Sequence, residues 1–189
     1  MKTPALHRLV LPAAWLVTLL SWFGCATPQK SSMLTANPAD VDTIPHIMRA
    51  SYETVSGPVG PKEQVRQIAR DATFYMPGAM FVSVFEEKGQ IKSKIMSEKA
   101  YWDGFDSSHP AYETEVGRRI ERYGNVAQVR SLSVVRSHPD GPITERYVNY
   151  YQLYWDGTRW WVAGVVWQKE SANMPVPDSW LGAWEEITQ

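Results

Sequence analysis

The chain has 189 residues, of which 44% are hydrophobic, and its formal net charge at pH 7 is −1. Its length and composition predict a single globular domain with a sizeable core. The near-neutral charge argues against a basic surface for nucleic acid, so we expect no nucleic-acid partner. Nine tryptophans and nine tyrosines indicate either a large aromatic core or an aromatic binding surface.

The N-terminal segment is typical of an export signal. Lys2 and Arg8 precede a mostly apolar run that ends just before Cys25. A basic start, a short apolar stretch and a small-residue end predict a signal peptide over residues 1–24. The run is too short for a comfortable membrane span, and Pro12 interrupts it.

Cys25 is the only cysteine in the chain and follows a glycine at the predicted cleavage point. This arrangement resembles a bacterial lipobox, which implies a lipoprotein anchored to a membrane through acyl chains such as palmitate on Cys25. The anchored protein would face the periplasm, and Ala26 after the cysteine implies the outer membrane. The alternative is an ordinary signal peptide cleaved after Ala26, which gives a secreted protein. The polar stretch that follows predicts a flexible tether at residues 25–39.

The first folded part has helical patterns. Apolar residues recur at three- and four-residue steps from Val41 to Val55, which predicts an amphipathic helix. Asp42 is the predicted N-cap, and Gly57 followed by Pro58 is the predicted stop. The next predicted elements are a short helix from Pro61, a short strand at 73–76, strands at 80–87 and 90–96, and a helix capped by Ser97.

The second half of the chain has the pattern of long strands. Gly124-Asn125 and Asp156-Gly157 are strong signals for hairpin turns. Helices first and a meander afterwards predict an α+β fold, with the N-terminal helices packed on one face of a curved antiparallel sheet. The four predicted strands are Tyr112–Tyr123, Val126–Ser137, Ile143–Trp155 and Trp160–Lys169.

This order of elements resembles the nuclear transport factor 2-like (NTF2-like) superfamily, also called SnoaL-like. The resemblance covers residues 40–175 and leaves 176–189 as a C-terminal tail. It implies a cone with a pocket between the helices and the concave sheet face, and some members of this superfamily are isomerases, dehydratases or cyclases. The segments that carry the resemblance are 42–44, 50–52, 55–57, 70–74, 119–127, 152–157 and 160–162.

The register of the first long hairpin follows from a two-residue turn at Gly124-Asn125. It pairs Arg118 with Ser131, on the same face as an apolar set that includes Ile120. Strict alternation continues with Val116 opposite Ser133 and Glu113 opposite Arg136. The face with Ile120 is apolar and small, so we expect it to face the core.

Arg118 is then a cation on the inner face, where charges are seldom buried without a partner. One interpretation is a structural ion pair with a helix acid such as Glu53, or a position at the open end. The other is a clamp for an anionic or carbonyl group of a ligand. The candidate pocket residues are Tyr52, Arg118, Ser131, Asn149 and Trp167, although such residues are more often core residues with one satisfied hydrogen bond.

The strand Trp160–Lys169 is apolar on both faces, which predicts that both are covered. A homodimer through the outer sheet face is the predicted explanation, since members of the superfamily often pair their sheets. The alternative cover is the Pro-rich tail from Met174 to Trp184.

No catalytic motif is present. The four histidines show no metal-ligand spacing, and we expect no metal and no cofactor. Alternation puts Glu113 and Glu115 on the outer face, which leaves no acid on the inner face. Asp71 has the position of a turn or cap residue. His109 in a loop is the remaining candidate base.

Two functions remain. The first is a non-catalytic binding or accessory module, with a small, largely apolar ligand in the pocket or a protein partner on the outer face. The second is an isomerase or dehydratase of the SnoaL-like type, with acid–base residues in the cone. The missing inner-face acid favours the first function.

Overall fold

The computed structural model describes residues 35–188. The predicted signal peptide, Cys25 and most of the predicted tether lie outside the described residues. Within the described part, no helix combines the length and the apolar character that crossing a bilayer requires.

The elements follow the predicted order of helices first and a meander afterwards. The helices are α1 Pro38–Val41, α2 Ile44–Val55, α3 Lys62–Val65, α4 Ile68–Asp71 and α5 Glu98–Asp103, with a 3₁₀ turn at Asp178–Trp180. The strands are β1 Tyr75–Glu87, β2 Gln90–Ser97, β3 Tyr112–Tyr123, β4 Val126–Arg136, β5 Ile143–Trp155, β6 Trp160–Lys169 and β7 Trp184–Thr188.

Side-chain caps define where α2 and α5 begin. Thr43, not Asp42, is the N-cap of α2, and its hydroxyl accepts a hydrogen bond from the His46 N–H at 3.2 Å. The predicted Asp42 cap is wrong because Asp42 directly follows α1, with its Oδ1 2.6 Å from His46 Nδ1. Ser97 caps α5 as predicted, since its hydroxyl accepts from the Ala100 N–H.

Two predicted details of the helices are wrong. Gly57 is not a left-handed helix stop, because it forms an antiparallel bridge with Ala111, and a Cβ there would lie 2.2 Å from the Val65 carbonyl oxygen. The single helix predicted from Pro61 is the two short helices α3 and α4. Ordered structure also begins before residue 40, since Ala36 is buried in the core.

All seven strands form one sheet in the order β2-β1-β6-β5-β4-β3-β7. The pairs β1/β6 and β3/β7 are parallel, and the other pairs are antiparallel. The hydrophobic core lies between the helices and one face of this sheet. Its fully buried members include Ile47 and Met48 of α2 and Val129 and Val162 of the sheet. The predicted α+β fold is confirmed.

A β-bulge at Val116 breaks the predicted alternation of β3. Arg118 pairs with Ser131 as predicted, but Gly117 pairs with Leu132 and Glu115 with Ser133, so Val116 is an extra residue. A side-chain period of two means that one extra residue exchanges the faces of everything beyond it. The predicted pairings of Val116 and Glu113 are therefore wrong, and Glu113 and Glu115 lie on the inner face.

A second bulge explains the two apolar faces of β6. Val162 pairs with Leu153 and Gly164 with Gln152, which leaves Ala163 unpaired. Trp160 and Val162 before the bulge, and Val165 after it, all belong to the core. The doubly apolar strand therefore reflects a change of face within β6.

Residues 178–188 form a segment that we call the C-terminal strap. Its β7 part pairs in parallel with β3, from Trp184 opposite Arg118 to Thr188 opposite Arg122. The Gly182 N–H donates to the carbonyl of the bulge residue Val116 at 2.8 Å. The predicted C-terminal tail thus extends the sheet and contacts the bulge.

Candidate functional site

Four of the five predicted pocket residues lie in one row across the concave face of the sheet. Arg118 pairs with Ser131, Ser131 with Asn149, and Asn149 with Trp167. The fifth, Tyr52, comes from α2 and reaches the same row, because its hydroxyl lies 2.7 Å from Ser131 Oγ. The fold therefore brings all five together around one hydrogen-bonded centre.

This centre is a buried polar network. Asn149 Nδ2 donates to the Tyr52 hydroxyl at 3.2 Å and to Ser133 Oγ at 3.1 Å. Ser131 Oγ donates to Glu115 Oε1 at 2.5 Å, and Ser133 Oγ donates to Glu113 Oε1 at 2.6 Å. Burial raises the pKa of Tyr52 far above its usual value, so its hydroxyl keeps its proton.

Glu115 and Arg118 close one end of the network. Arg118 Nη2 lies 2.9 Å from Glu115 Oε2, and the two side chains are only 12% and 7% exposed. The Arg118 guanidinium also lies over the Trp184 ring of the strap, 5.2 Å from its centroid. Burial raises the pKa of Glu115, while Arg118 and Ser131 oppose that shift. The partner of Arg118 is therefore Glu115 and not Glu53.

The other end of the network opens into a cavity of about 410 Å³ between the helices and the sheet. Tyr52, Asn149 and Trp167 line this cavity, whereas Arg118 and Ser131 do not. Its wall is rich in aromatic rings: Tyr101 lies 5.3 Å from Phe81 and 6.0 Å from Trp167, measured between ring centroids. A cavity of this size with an aromatic wall and a few polar groups suits a small, largely apolar molecule.

Glu113 is the acidic group of the network that lines the cavity. Removal from bulk water raises the pKa of Glu113 to about 7, against the hydrogen bond from Ser133 and with help from the charge of Glu145. A carboxyl with a pKa near neutrality exchanges a proton readily at physiological pH. Glu113 is thus a candidate acid or base that the strict alternation of β3 concealed.

Glu145 also lines the cavity but is held by protein partners. It accepts hydrogen bonds from the Tyr147 hydroxyl and from Lys169 Nζ. Although burial opposes ionisation, these hydrogen bonds lower the pKa of Glu145 below its usual value. Glu145 is therefore an ionised neighbour of Glu113.

The sequence predicts a turn or cap role for Asp71, which is the last residue of α4, directly before a turn. Its side chain is a second buried carboxyl and does not cap a helix. Its oxygens accept hydrogen bonds from the Thr54 hydroxyl at 2.7 Å and the Trp102 indole N–H at 2.9 Å. Burial raises the pKa of Asp71 to about 7, and these two hydrogen bonds oppose the shift. Asp71 does not line the cavity, and it joins α4 to α2 and α5.

His109 lies in an exposed loop before β3. Its side chain is 84% exposed, and its Nδ1 lies 2.9 Å from Ser108 Oγ. It is not part of the cavity wall. Among residues 35–188, no group of three or more histidine, cysteine, aspartate or glutamate side chains is arranged to hold a metal ion.

The candidate residue that strict alternation missed is Glu113, and the chain holds a signal for its position. Gly117 directly follows the bulge at Val116, and an isolated glycine inside a strand pattern often marks a bulge. A glycine is needed at position 117 because the strap approaches closely there: a Cβ at Gly117 would lie 2.2 Å from the Trp180 carbonyl oxygen.

No family model matches the sequence, and no curated protein gives a significant match to it. Among solved structures, an NTF2-like protein of unknown function from Methylobacillus flagellatus KT is 11% identical with a TM-score of 0.48, covering 69% of this chain and 91% of that one. An NTF2-like protein of unknown function from Shewanella baltica OS155 is 13% identical with a TM-score of 0.46, covering 66% and 86%.

A putative ketosteroid isomerase from Shewanella frigidimarina NCIMB 400 is 15% identical with a TM-score of 0.36, covering 53% of this chain and 80% of that one. We transfer no function from these proteins. Helices over the concave face of a curved, mostly antiparallel sheet are the architecture that the sequence resemblance implies. The chain therefore has the predicted α+β fold, with its N-terminal helices packed on one face of a mostly antiparallel sheet.

Proposed function

We propose that the chain is a binding module of the cell envelope that holds a small, largely apolar molecule in its cavity. The observation that carries the proposal is the cavity of about 410 Å³, which has an aromatic wall and polar groups that include Tyr52, Asn149 and Glu113. Such pockets gain affinity from apolar contact and orientation from few hydrogen bonds. The polar network of Tyr52 and Asn149 supplies hydrogen bonds of this kind.

The envelope location rests on the sequence. Cys25 carries the lipid anchor in this proposal, and the polar residues after it act as a tether. The Cys25→Ser variant should release the protein from the membrane fraction or stall its processing. Normal membrane fractionation of that variant would contradict the anchor.

Native mass spectrometry of full-length protein purified from its own host tests the binding function. We expect a retained small molecule on the wild-type protein. Ser83 lines the cavity, so Ser83→Phe should fill it and lose that molecule. Ser93→Phe is the matched control, because Ser93 is exposed on the neighbouring strand. A wild-type protein that never carries a ligand would contradict the proposal.

Glu113 favours a second candidate function, proton transfer on the bound molecule in an isomerase or dehydratase reaction. A carboxyl of pKa about 7 beside an apolar cavity suits removal of a proton next to a carbonyl group. Incubation with a panel of cyclic ketones in D₂O, followed by NMR, would detect deuterium exchange. The exchange rate should rise with pH to a plateau above about pH 7 and vanish in Glu113→Gln.

The homodimer remains a separate proposal. Exposed apolar residues on the outer sheet face support it, namely Ile95, Tyr150 and Val166, which are 68%, 38% and 42% exposed. A stable interface should bury at least about 1,000 Å². Light scattering at tens of micromolar tests it, and a monomer at that concentration would contradict it.

A further inference from the structure

The cavity wall holds more acidic than basic residues. Glu113 on β3 and Glu145 on β5 line it on either side of Val135 of β4, and Asp106 lines it from the loop after α5. The cationic residue of the wall is Lys94 on β2, whose Nζ would lie 3.6 Å from a Cβ at Gly104, just after α5. The acids thus outnumber the cation by three to one.

Glu113 differs from the other two inner-face carboxylates of the sheet. Glu115 has Arg118 as its ion-pair partner, and Glu145 has Lys169. Among the described residues, no arginine or lysine forms an ion pair with Glu113, whose hydrogen-bond donor is the neutral Ser133 hydroxyl. Removing a carboxylate from water without a counter-ion is costly.

The wall facing Glu113 is aromatic. The rings that line the cavity include Tyr75, Phe81, Tyr101, Phe105 and Trp167. Aromatic rings attract organic cations through the negative potential of their faces, and they also bury an apolar body. An aromatic wall with an unpaired carboxylate is complementary to a positively charged apolar molecule.

We propose that the ligand of this cavity is an organic cation, an amine or quaternary ammonium with an apolar body, whose charge pairs with Glu113. This inference deepens the proposed binding function and rests on it. The ligand supplies the counter-ion that the described chain does not give to Glu113. The titratable groups around that carboxylate are Glu145 and the hydroxyls of Tyr52, Tyr101, Tyr147 and Tyr151, which carry no positive charge.

Three probes with one phenyl ring and different charges test the inference in full-length protein. They are benzyltrimethylammonium, 2-phenylethanol and phenylacetate, measured by isothermal titration calorimetry at pH 6 and pH 8. At pH 8 we expect the ammonium to bind at least about tenfold more tightly than the alcohol, and the carboxylate to bind most weakly. The affinity for the ammonium should rise roughly tenfold from pH 6 to pH 8, as Glu113 ionises around pH 7.

Two variants test whether Glu113 causes the preference for the ammonium probe. Glu113→Gln should abolish both the preference for the ammonium and its pH dependence while keeping the binding of the alcohol. Glu86→Gln is the matched control, because Glu86 is an exposed acid of β1 outside the cavity. If Glu113→Gln does not fold, the order of the three probe affinities on the wild-type protein still tests whether the cavity prefers a cation.

The outcomes separate the two proposals. If the alcohol binds as tightly as the ammonium at pH 8, or if the carboxylate binds more tightly, the proposal of a cationic ligand is wrong. The proposed binding of a small apolar molecule is not contradicted by either result. Failure of all three probes to bind contradicts the proposed binding function and this inference with it. An ammonium preference that persists in Glu113→Gln overturns the role of that residue.

Discussion

The two carboxylates at the start of β3 lie on the same face, two residues apart, yet their surroundings are opposite. Glu115 accepts a hydrogen bond from Ser131 and pairs with Arg118, which in turn lies over the Trp184 ring of the strap. Glu113 accepts from Ser133 and faces the cavity without an ion-pair partner in the described chain. Glu115 therefore belongs to the internal ion pairs of the fold, whereas Glu113 is positioned to contact a ligand in the cavity.

Removal of Arg118 should give the largest effect. Arg118→Met leaves Glu115 buried without its cation and should lower the free energy of unfolding by about 3 kcal/mol or more, measured by chemical denaturation. Arg119→Met is the control, since Arg119 is 37% exposed and should cost under about 1 kcal/mol. Equal losses in the two variants would show that the Arg118–Glu115 pair is not the structural end of the network.

The second-largest effect should come from a substitution at the contact between the strap and the β3 bulge. Gly117→Ala places a Cβ 2.2 Å from the Trp180 carbonyl oxygen, so strap or bulge must move, and we expect a loss of about 2 kcal/mol in unfolding free energy. In a chain that ends at Pro177 the clash is gone, and the same substitution should be nearly neutral. Additive effects of substitution and truncation would contradict this coupling.

The pH dependence of the unfolding free energy should reveal the raised pKa of Glu113. Its pKa is about 7 in the folded protein against an ordinary value of 4.5, so the folded state binds more protons than the unfolded state between these values. The contribution of Glu113 to stability is therefore fully present below about pH 4.5 and is lost as pH rises to about 7. Glu113→Gln should remove this decline in stability. A separate decline over a similar pH range should remain in the variant, because burial also raises the pKa of Asp71 to about 7.

A wild-type protein and a Glu113→Gln variant with the same pH profile of unfolding free energy would contradict the shifted pKa of Glu113. Urea denaturation at intervals between pH 4.5 and pH 7.5 gives the comparison. The difference between the two proteins isolates Glu113, because every other titrating group is common to both.

The smallest effect should come from His109. Its side chain is 84% exposed and is not part of the cavity wall. His109→Ala should change the unfolding free energy by less than about 0.5 kcal/mol and should leave ligand affinity unchanged. A clear loss of ligand binding would restore this residue as a candidate base and weaken the case for Glu113.

The sequence by itself determined the elements and much of the pairing. Apolar periodicity and the turns at Gly124-Asn125 and Asp156-Gly157 predicted α2 and the long strands, because local sterics and hydrophobic burial act within a few residues. Near a tight turn the register is fixed by the turn itself, so the pairing of Arg118 with Ser131 was predictable. The sequence left open which face of β5 and β6 lines the pocket, because one strand has two mixed faces and the other has two apolar faces. The observed strand pairing puts Asn149 and Trp167 in one row with Ser131.

Only the tertiary structure decided which residues face the cavity beyond each bulge. The bulge at Val116 depends on the strap, which donates to its carbonyl from Gly182, more than 60 residues away along the chain. The bulge at Ala163 depends on β1, which pairs on the other side of β6 and shifts its register there as well. Each bulge moves side chains to the opposite face of the sheet, and contacts between distant segments determine it. Gly117 marks the first bulge in the sequence, but only the contact with the strap explains why Glu113 reaches the cavity.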